Sequence, residues 1–200
     1  MRDTLRIFVQ LCAIGVNAAL LMAAVRAGVW LFSMFALLEL VFLSYTTGHK
    51  PLAVSTDLWG WAAAIFIMLF PLLSTDFLAT REWVPMWRAA AGNGLILCAF
   101  VLELWALLLL NTAFTQLPEA RKLVRRGLYR YMRHPLYTAY FLAFFGQALI
   151  WNEGLYWLTF VVFVLTLTLR AKAEERVLSR VFPLYEEYKK QAGMFTPHWR

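Results

Sequence analysis

The chain has 200 residues, of which 62% are hydrophobic and 16% are charged, and its formal net charge at neutral pH is +7. Its 16 Phe, nine Trp and eight Tyr supply more apolar side chain than one core of this size can bury, which excludes an ordinary water-soluble domain. The basic residues lie between apolar runs, so we interpret them as signals of membrane topology and expect no nucleic-acid partner.

Four apolar runs in the first part of the chain predict membrane-spanning helices. The first, Ile7–Val25, has 19 uncharged residues, enough for a helix to cross a hydrocarbon layer of about 30 Å and too many for a cleaved signal peptide. The next three runs each contain one acidic residue, Glu39, Asp76 and Glu103: Val29–Tyr45, Leu58–Ala79 and Ala89–Leu110. Acidic groups inside a span are expensive, so Glu39 and Glu103 are expected either to bond between helices or to line a ligand's route.

Two shorter apolar runs follow, Leu136–Trp151 and Leu155–Leu169, separated by the turn-like residues Asn152, Glu153 and Gly154. They predict an antiparallel helical hairpin. With 16 and 15 residues, the two runs are slightly short for a full crossing, so the sequence leaves open whether the hairpin spans the membrane.

The basic residues predict the orientation of these helices. With six spans, 16 basic residues fall on the side of both termini, and only three fall on the other side: Arg26, Arg81 and Arg88. The positive-inside rule then places both termini in the cytoplasm. The sequence therefore predicts an all-α integral membrane protein with about six transmembrane helices, four spans plus a C-terminal hairpin, and a C-terminal amphipathic tail.

The segment before the hairpin, residues 121–137, is rich in chemically useful side chains. It holds six basic residues, three tyrosines, one glycine, and His134 directly before Pro135. Proline disfavours helix at the preceding residue, so the hairpin should begin here with a helix N-terminus that favours an anionic group. A basic interfacial anchor with tyrosines would have the same composition.

A second polar group follows the hairpin. Arg170 and Glu174 are four residues apart and share a helix face, whereas Glu175 is rotated by about 100°. Charged groups that face a bundle at the membrane boundary often mark a site, although a solvated ion pair would have the same spacing. The tail 177–188 is amphipathic and could lie at the interface or fold back over the loop.

Four motifs thus occur in a fixed order: Lys122-Leu-Val-x-x-Gly127-x-Tyr129, Arg133-His134-Pro135-x-Tyr137, Arg170-x-x-x-Glu174-Glu175 and Phe182-x-x-Tyr185-x-x-Tyr188, with Pro197 after them. In order and spacing, over about 80 residues, they resemble the C-terminal signature of the isoprenylcysteine carboxyl methyltransferase family and its phospholipid methyltransferase relatives. Two positions depart from that signature. Arg121 stands where a histidine often opens the loop motif, and Phe182-Pro183 replaces the usual Phe-Gly.

The resemblance implies a membrane-embedded methyltransferase that uses S-adenosylmethionine without a Rossmann domain, and the chain has no G-x-G-x-x-G motif. It also implies a set of cofactor-binding residues, namely Lys122, Leu123, Val124, Gly127, Tyr129, His134, Pro135, Leu136, Tyr137 and Glu174. Arg170 is implied beside the acceptor. Glu174 and Glu175 are the candidate bases, because an amine acceptor would have to lose a proton, whereas a carboxylate acceptor needs no base. No metal is required.

On this resemblance the chain divides into two parts: residues 1–116 would form the acceptor cavity, and residues 117–200 carry the methyltransferase signature at the cytoplasmic interface. The acceptor stays open between an isoprenylcysteine carboxylate, the amine of a phospholipid such as phosphatidylethanolamine, and another lipophilic or lipidated molecule. One alternative is an NADPH-dependent membrane reductase of the sterol reductase type. A non-enzymatic alternative is a membrane scaffold or transport subunit in which the basic loop only anchors.

Overall fold

The computed structural model describes residues 2–26, 30–73, 84–152 and 154–198, and most of these are helical. The described α-helices are α1 (Arg2–Arg26), α2 (Trp30–Thr46), α3 (Leu58–Leu73), α4 (Met86–Leu110), α5 (Pro135–Trp151), α6 (Gly154–Val181) and α7 (Tyr185–Gln191). Short 3₁₀ helices cover Asn111–Ala113 and Gly127–Arg130, and two-residue strands form β1 (Ala53–Val54) and β2 (Glu119–Ala120).

Within the described residues, three helical stretches are long and apolar enough to cross a membrane, Arg6–Arg26, Met86–Ala113 and Gly154–Val181, and two apolar helices, Ser33–Thr46 and Leu58–Phe70, are shorter. The predicted all-α membrane class therefore fits, while the count of six spans and the direction of insertion stay predictions. Helix α6 has 28 residues and continues well past the predicted run Leu155–Leu169. The polar residues that follow this run are helical as well.

Some predicted features lie outside the described residues: Val29 and the extension 74–79 with Asp76, the basic residue Arg81, and Glu153 of the predicted turn. The turn itself is recognisable from its neighbours. Asn152 ends α5 in the left-handed conformation, with φ 51° and ψ 31°, and α6 begins at Gly154. Asparagine tolerates this conformation, which commonly ends a helix.

Two glycines let α4 and α5 pack closely. A Cβ at Gly92 would lie 2.6 Å from the carbonyl oxygen of Gly146, and a Cβ at Gly146 would lie 2.6 Å from the carbonyl oxygen of Gly92. Small residues at such crossings allow membrane helices to approach until their backbones touch. The same pair of helices brings the end of α4, near Leu110, beside the start of α5 at His134.

Aromatic rings join the other helices of the core. The ring of Phe163 on α6 lies 4.6 Å from that of Phe70 on α3 and 4.5 Å from that of Phe144 on α5, measured between centroids. Apolar side chains on the outer face of α6 are exposed at helical spacing, namely Leu155, Leu158, Val161 and Leu165. Such a stripe suits contact with lipid.

The short strand pair is an addition that the sequence did not predict. β1 and β2 are antiparallel, with Ala53 opposite Ala120 and Val54 opposite Glu119. Two residues are too few to show the alternation by which a strand is recognised in a sequence. The pairing ties the segment after α2 to the segment after α4 and holds Glu119 in the interior, where it is 3% exposed.

Candidate active site

The start of α5 is held by residues 193 and 194, near the C-terminus. The helix begins at Pro135, as predicted, with His134 as the N-cap residue. The backbone N–H of Arg133 donates to the carbonyl of Gly193 at 2.8 Å, and that of His134 donates to the carbonyl of Met194 at 3.0 Å. Residues 193 and 194 therefore run alongside the loop and hold His134 in place.

Glu175 clamps this loop to α6. Arg133 Nε donates to Glu175 Oε1 at 2.7 Å, and His134 Nε2 lies 3.1 Å from the same oxygen. Arg133 Nη1 also donates to the carbonyls of Lys189 at 3.0 Å and Ala192 at 2.7 Å. One carboxylate on α6 thus holds an arginine and a histidine of the loop.

Two adjoining pockets of about 450 and 370 Å³ open at this end of the helices. They share six lining residues, Leu110, Ala113, Tyr129, Arg133, His134 and Glu174. The larger pocket adds Lys122, Leu123 and Val124, and the smaller one adds Leu136 and Tyr137. The fold therefore brings His134 and Glu174, and with them most of the predicted cofactor residues, around one hollow.

Four predicted site residues lie outside the lining of the two pockets. Gly127, Pro135, Arg170 and Glu175 are not among the described residues that line the two pockets. Gly127 has a φ of +58°, and a Cβ there would lie 2.7 Å from the side chain of Leu109, so this position needs glycine for the turn. Pro135 starts α5, and Glu175 is held by Arg133 and His134.

Arg170 and Glu174, which were predicted to share a helix face, both contact Tyr137. The hydroxyl of Tyr137 donates to Glu174 Oε2 at 2.7 Å, and the guanidinium carbon of Arg170 lies 5.2 Å from the centroid of the Tyr137 ring. Arg170 is 3% exposed, and its Nη2 donates to the carbonyl of Thr115 at 3.1 Å. Its Nε and Nη1 have no hydrogen-bond partner among the described residues. Two buried donors thus remain available beside the site.

Sequence reasoning missed the pair formed by Glu119 and Arg121. Arg121 Nε lies 3.3 Å from Glu119 Oε2, while Nη1 donates to the carbonyls of Thr46 at 2.9 Å and Phe114 at 3.2 Å. Burial raises the pKa of Glu119, and the charge of Arg121 partly offsets this effect. Burial likewise lowers the pKa of Arg121. The departure from histidine at position 121 was the signal in the sequence that could have drawn attention to this pair.

Three residues of the larger pocket keep a buried polar atom without a hydrogen-bond partner among the described residues: Arg121 Nη2, Glu119 Oε1 and the hydroxyl of Tyr185. Burial raises the pKa of Tyr185, so this hydroxyl is neutral and can donate. Buried polar groups are normally paired. The pocket therefore offers a cationic donor, an anionic acceptor and a hydroxyl to a ligand.

A family model described as phospholipid methyltransferase matches residues 87–184. This segment, 98 of the 200 residues, is thus similar to the phospholipid methyltransferase family. It contains every predicted site residue, from Lys122 to Glu175, so the predicted resemblance is confirmed.

A curated relative extends the comparison beyond this segment. The nickel-cobalt-cadmium resistance protein NccN of Alcaligenes xylosoxydans xylosoxydans is 26% identical over 142 residues, which are 68% of this chain and 62% of that protein. The chain thus spans less than two thirds of the length of this relative. In the parts of the chain that the structure describes, no group of three or more His, Cys, Asp or Glu side chains could hold a metal ion.

Proposed function

We propose that the protein is a methyltransferase that uses S-adenosylmethionine and acts on a lipophilic acceptor at the membrane interface. The observation that supports it most directly is the set of unpartnered polar atoms in the larger pocket. The cofactor carries an amino-acid end with both charges. Its carboxylate suits Arg121 Nη2 and its ammonium suits Glu119 Oε1, while the hydroxyl of Tyr185 can bond either end.

The remaining part of the cofactor suits the aromatic and acidic groups shared by both pockets. A cationic sulfonium is attracted to aromatic faces, and Tyr129 and Tyr137 both line the hollow. Burial raises the pKa of Tyr129, so its ring stays neutral. Glu174 already accepts a hydrogen bond from Tyr137, and its second oxygen can accept one from a ribose hydroxyl or the amine. Lys122, Leu123 and Val124 would enclose the other face.

Bound at this site, the cofactor would supply an electrophilic methyl group for an in-line displacement. The contribution of the protein is then to align the acceptor and to exclude water, which can supply much of the rate. A carboxylate acceptor would be oriented by the free Nε and Nη1 of Arg170. An amine acceptor would pass a proton to Glu174, because Glu175 is already engaged by Arg133 and His134.

We further propose that the pockets open to the cytoplasm, because the predicted six-span topology places 16 of 19 basic residues on that side. The family description supports a phospholipid acceptor, whereas the free donors of Arg170 equally suit the carboxylate of an isoprenylcysteine. Residues 1–116 would then provide the acceptor cavity, and residues 117–200 the cofactor site.

The test is cofactor binding followed by product identification. Purified protein in detergent should bind S-adenosylmethionine saturably by calorimetry. Glu119→Gln should weaken this binding about tenfold or more, because a charge-assisted hydrogen bond contributes about 1.5–3 kcal/mol. The matched control is Glu187→Gln, because Glu187 is exposed on α7. This variant should bind the cofactor as tightly as the wild type.

The second arm supplies methyl-labelled cofactor together with a total lipid extract and identifies the labelled product. A methyl ester would indicate a carboxylate acceptor, and a methylated amine would indicate a phospholipid of the phosphatidylethanolamine type. Absence of both cofactor binding and labelled product would refute the proposal. Thermal stabilisation by NADPH and not by S-adenosylmethionine would favour the reductase alternative.

A further inference from the structure

A third cavity, of about 560 Å³, lies deeper among the helices. Helices α1 to α6 all contribute side chains to its wall, and most of these are apolar. Its polar members are Asn17, Glu39, Glu103, Gln116 and Tyr140. Two carboxylates in an apolar cavity within a membrane protein are unusual and usually mark a functional site.

The two carboxylates differ in their surroundings. Glu39 accepts a hydrogen bond from the hydroxyl of Tyr140 and another from Gln116 Nε2 at 2.7 Å. Glu103 is 0% exposed, and neither of its oxygens has a hydrogen-bond partner among the described residues. An unpaired buried carboxylate is costly, whether it is ionised or neutral. Among the described residues, no side chain in the wall of the cavity donates a hydrogen bond to Glu103.

The cavity is separate from the cofactor pockets. Glu103 lies seven residues before Leu110 on α4, which corresponds to about 10 Å along the helix. Arg170 lies between the two sites, because it stacks on Tyr137 and is also within electrostatic range of Glu39 and Glu174. This one guanidinium therefore lies near two carboxylates, Glu39 and Glu174, and Glu103 has no hydrogen-bond partner among the described residues. A further cation in the cavity would balance the charge.

We propose that this cavity is a binding site for the ammonium group of a lipophilic amine, with Glu103 as its principal anionic partner and Glu39 as the second. An ammonium group has three donors, so it can bond the free oxygens of Glu103 and still reach Glu39. The apolar wall, which includes Phe35, Ile67 and Phe163, suits an alkyl chain. The site does not depend on methyl transfer in the other pockets.

The test compares three probes of equal chain length, decylamine, decan-1-ol and decanoate, by calorimetry with the full chain in an uncharged detergent. Decylamine should bind saturably and at least tenfold more tightly than decan-1-ol, and decanoate should bind more weakly than both. Glu103→Gln should abolish the tenfold preference for the amine. The exposed Glu187→Gln is the matched control and should keep the preference.

S-adenosylmethionine binding is measured on the same samples. Cofactor binding retained by Glu103→Gln shows that the variant is folded, and it separates this inference from the proposed methyltransferase function. Equal affinities of the wild-type protein for decylamine and decan-1-ol would overturn the inference, since that comparison needs no variant. A Glu103→Gln protein that still prefers the amine would overturn it as well.

Discussion

The contact between α4 and α5 can be tested with a pair of glycine substitutions on one helix. Gly92 and Gly94 are two residues apart on α4, but a Cβ at Gly92 would lie 2.4 Å from Ile150 Cγ1 and 2.6 Å from the carbonyl oxygen of Gly146, whereas a Cβ at Gly94 would meet nothing within 4 Å. Gly92→Ala should therefore force α4 and α5 apart, and Gly94→Ala should leave them unchanged.

The expected magnitude follows from these distances. The 2.6 Å contact is 0.8 Å shorter than the 3.4 Å at which ordinary contact begins, and the atom opposite belongs to a backbone, so it cannot rotate away. Overpacking of this kind costs about 1–3 kcal/mol. Both substitutions gain the same helix propensity, about 0.5–1 kcal/mol. The difference between Gly92→Ala and Gly94→Ala in the free energy of unfolding should therefore be about 1–3 kcal/mol.

Thermal unfolding in detergent measures this difference, at about 2–4 °C per kcal/mol for a chain of this size. Gly92→Ala should unfold at a lower temperature than the wild type, and Gly94→Ala should unfold at the same or a higher temperature. Equal melting temperatures for the two variants would refute the reasoning, because they would mean that α4 and α5 do not touch at Gly92. Cofactor affinity should fall in Gly92→Ala alone, since α4 and α5 both line the pockets.

Three further predictions concern Glu175, Gly127 and Glu119. Glu175→Ala should lower the free energy of unfolding by about 1.5–3 kcal/mol in a denaturation experiment, because Arg133 loses a charged partner, while the exposed Glu187→Ala should stay within about 0.5 kcal/mol of wild type. Gly127→Ala should lower the melting temperature more than Gly94→Ala, because its φ is +58° and Leu109 lies against it. Burial raises the pKa of Glu119 above 4.5 in the folded protein, so its contribution to stability is present at low pH and is lost as pH rises through that pKa. Stability curves against pH, measured without cofactor, should be flatter for Glu119→Gln, and an unchanged slope would contradict this account.

The helices were predictable from hydrophobicity because a span must be apolar over a fixed length. The runs Ile7–Val25 and Ala89–Leu110 lie inside α1 and α4. The shared face of Arg170 and Glu174 was predictable from their i, i+4 spacing, and in the structure both side chains contact Tyr137. Proline chemistry likewise predicted the start of α5.

Contacts between distant segments were not predictable from one sequence. Arg121 bonds the carbonyl of Thr46 across 75 residues, and nothing in the local pattern of either segment indicates the pairing. The contacts of Glu175 were not predictable for the same reason. Its rotation from Glu174 shows that the two side chains lie on different faces of α6, but it does not identify Arg133 and His134 as the partners of Glu175. The free oxygens of Glu103 depend on the packing of six helices and so appear only in the folded structure.

The strap formed by residues 193–198 has a consequence for synthesis of the protein. Met132 pairs with Gly193, and the hydroxyl of Thr138 donates to the carbonyl of Phe195 at 2.7 Å, so the loop receives these contacts only after residue 195 has left the ribosome. The apolar helices insert earlier, because chains fold in the order of their translation. A nascent chain can thus have its apolar helices in the bilayer while the hollow around His134 is still unformed, and a product that lacks residues 193–198 would be inserted without these contacts.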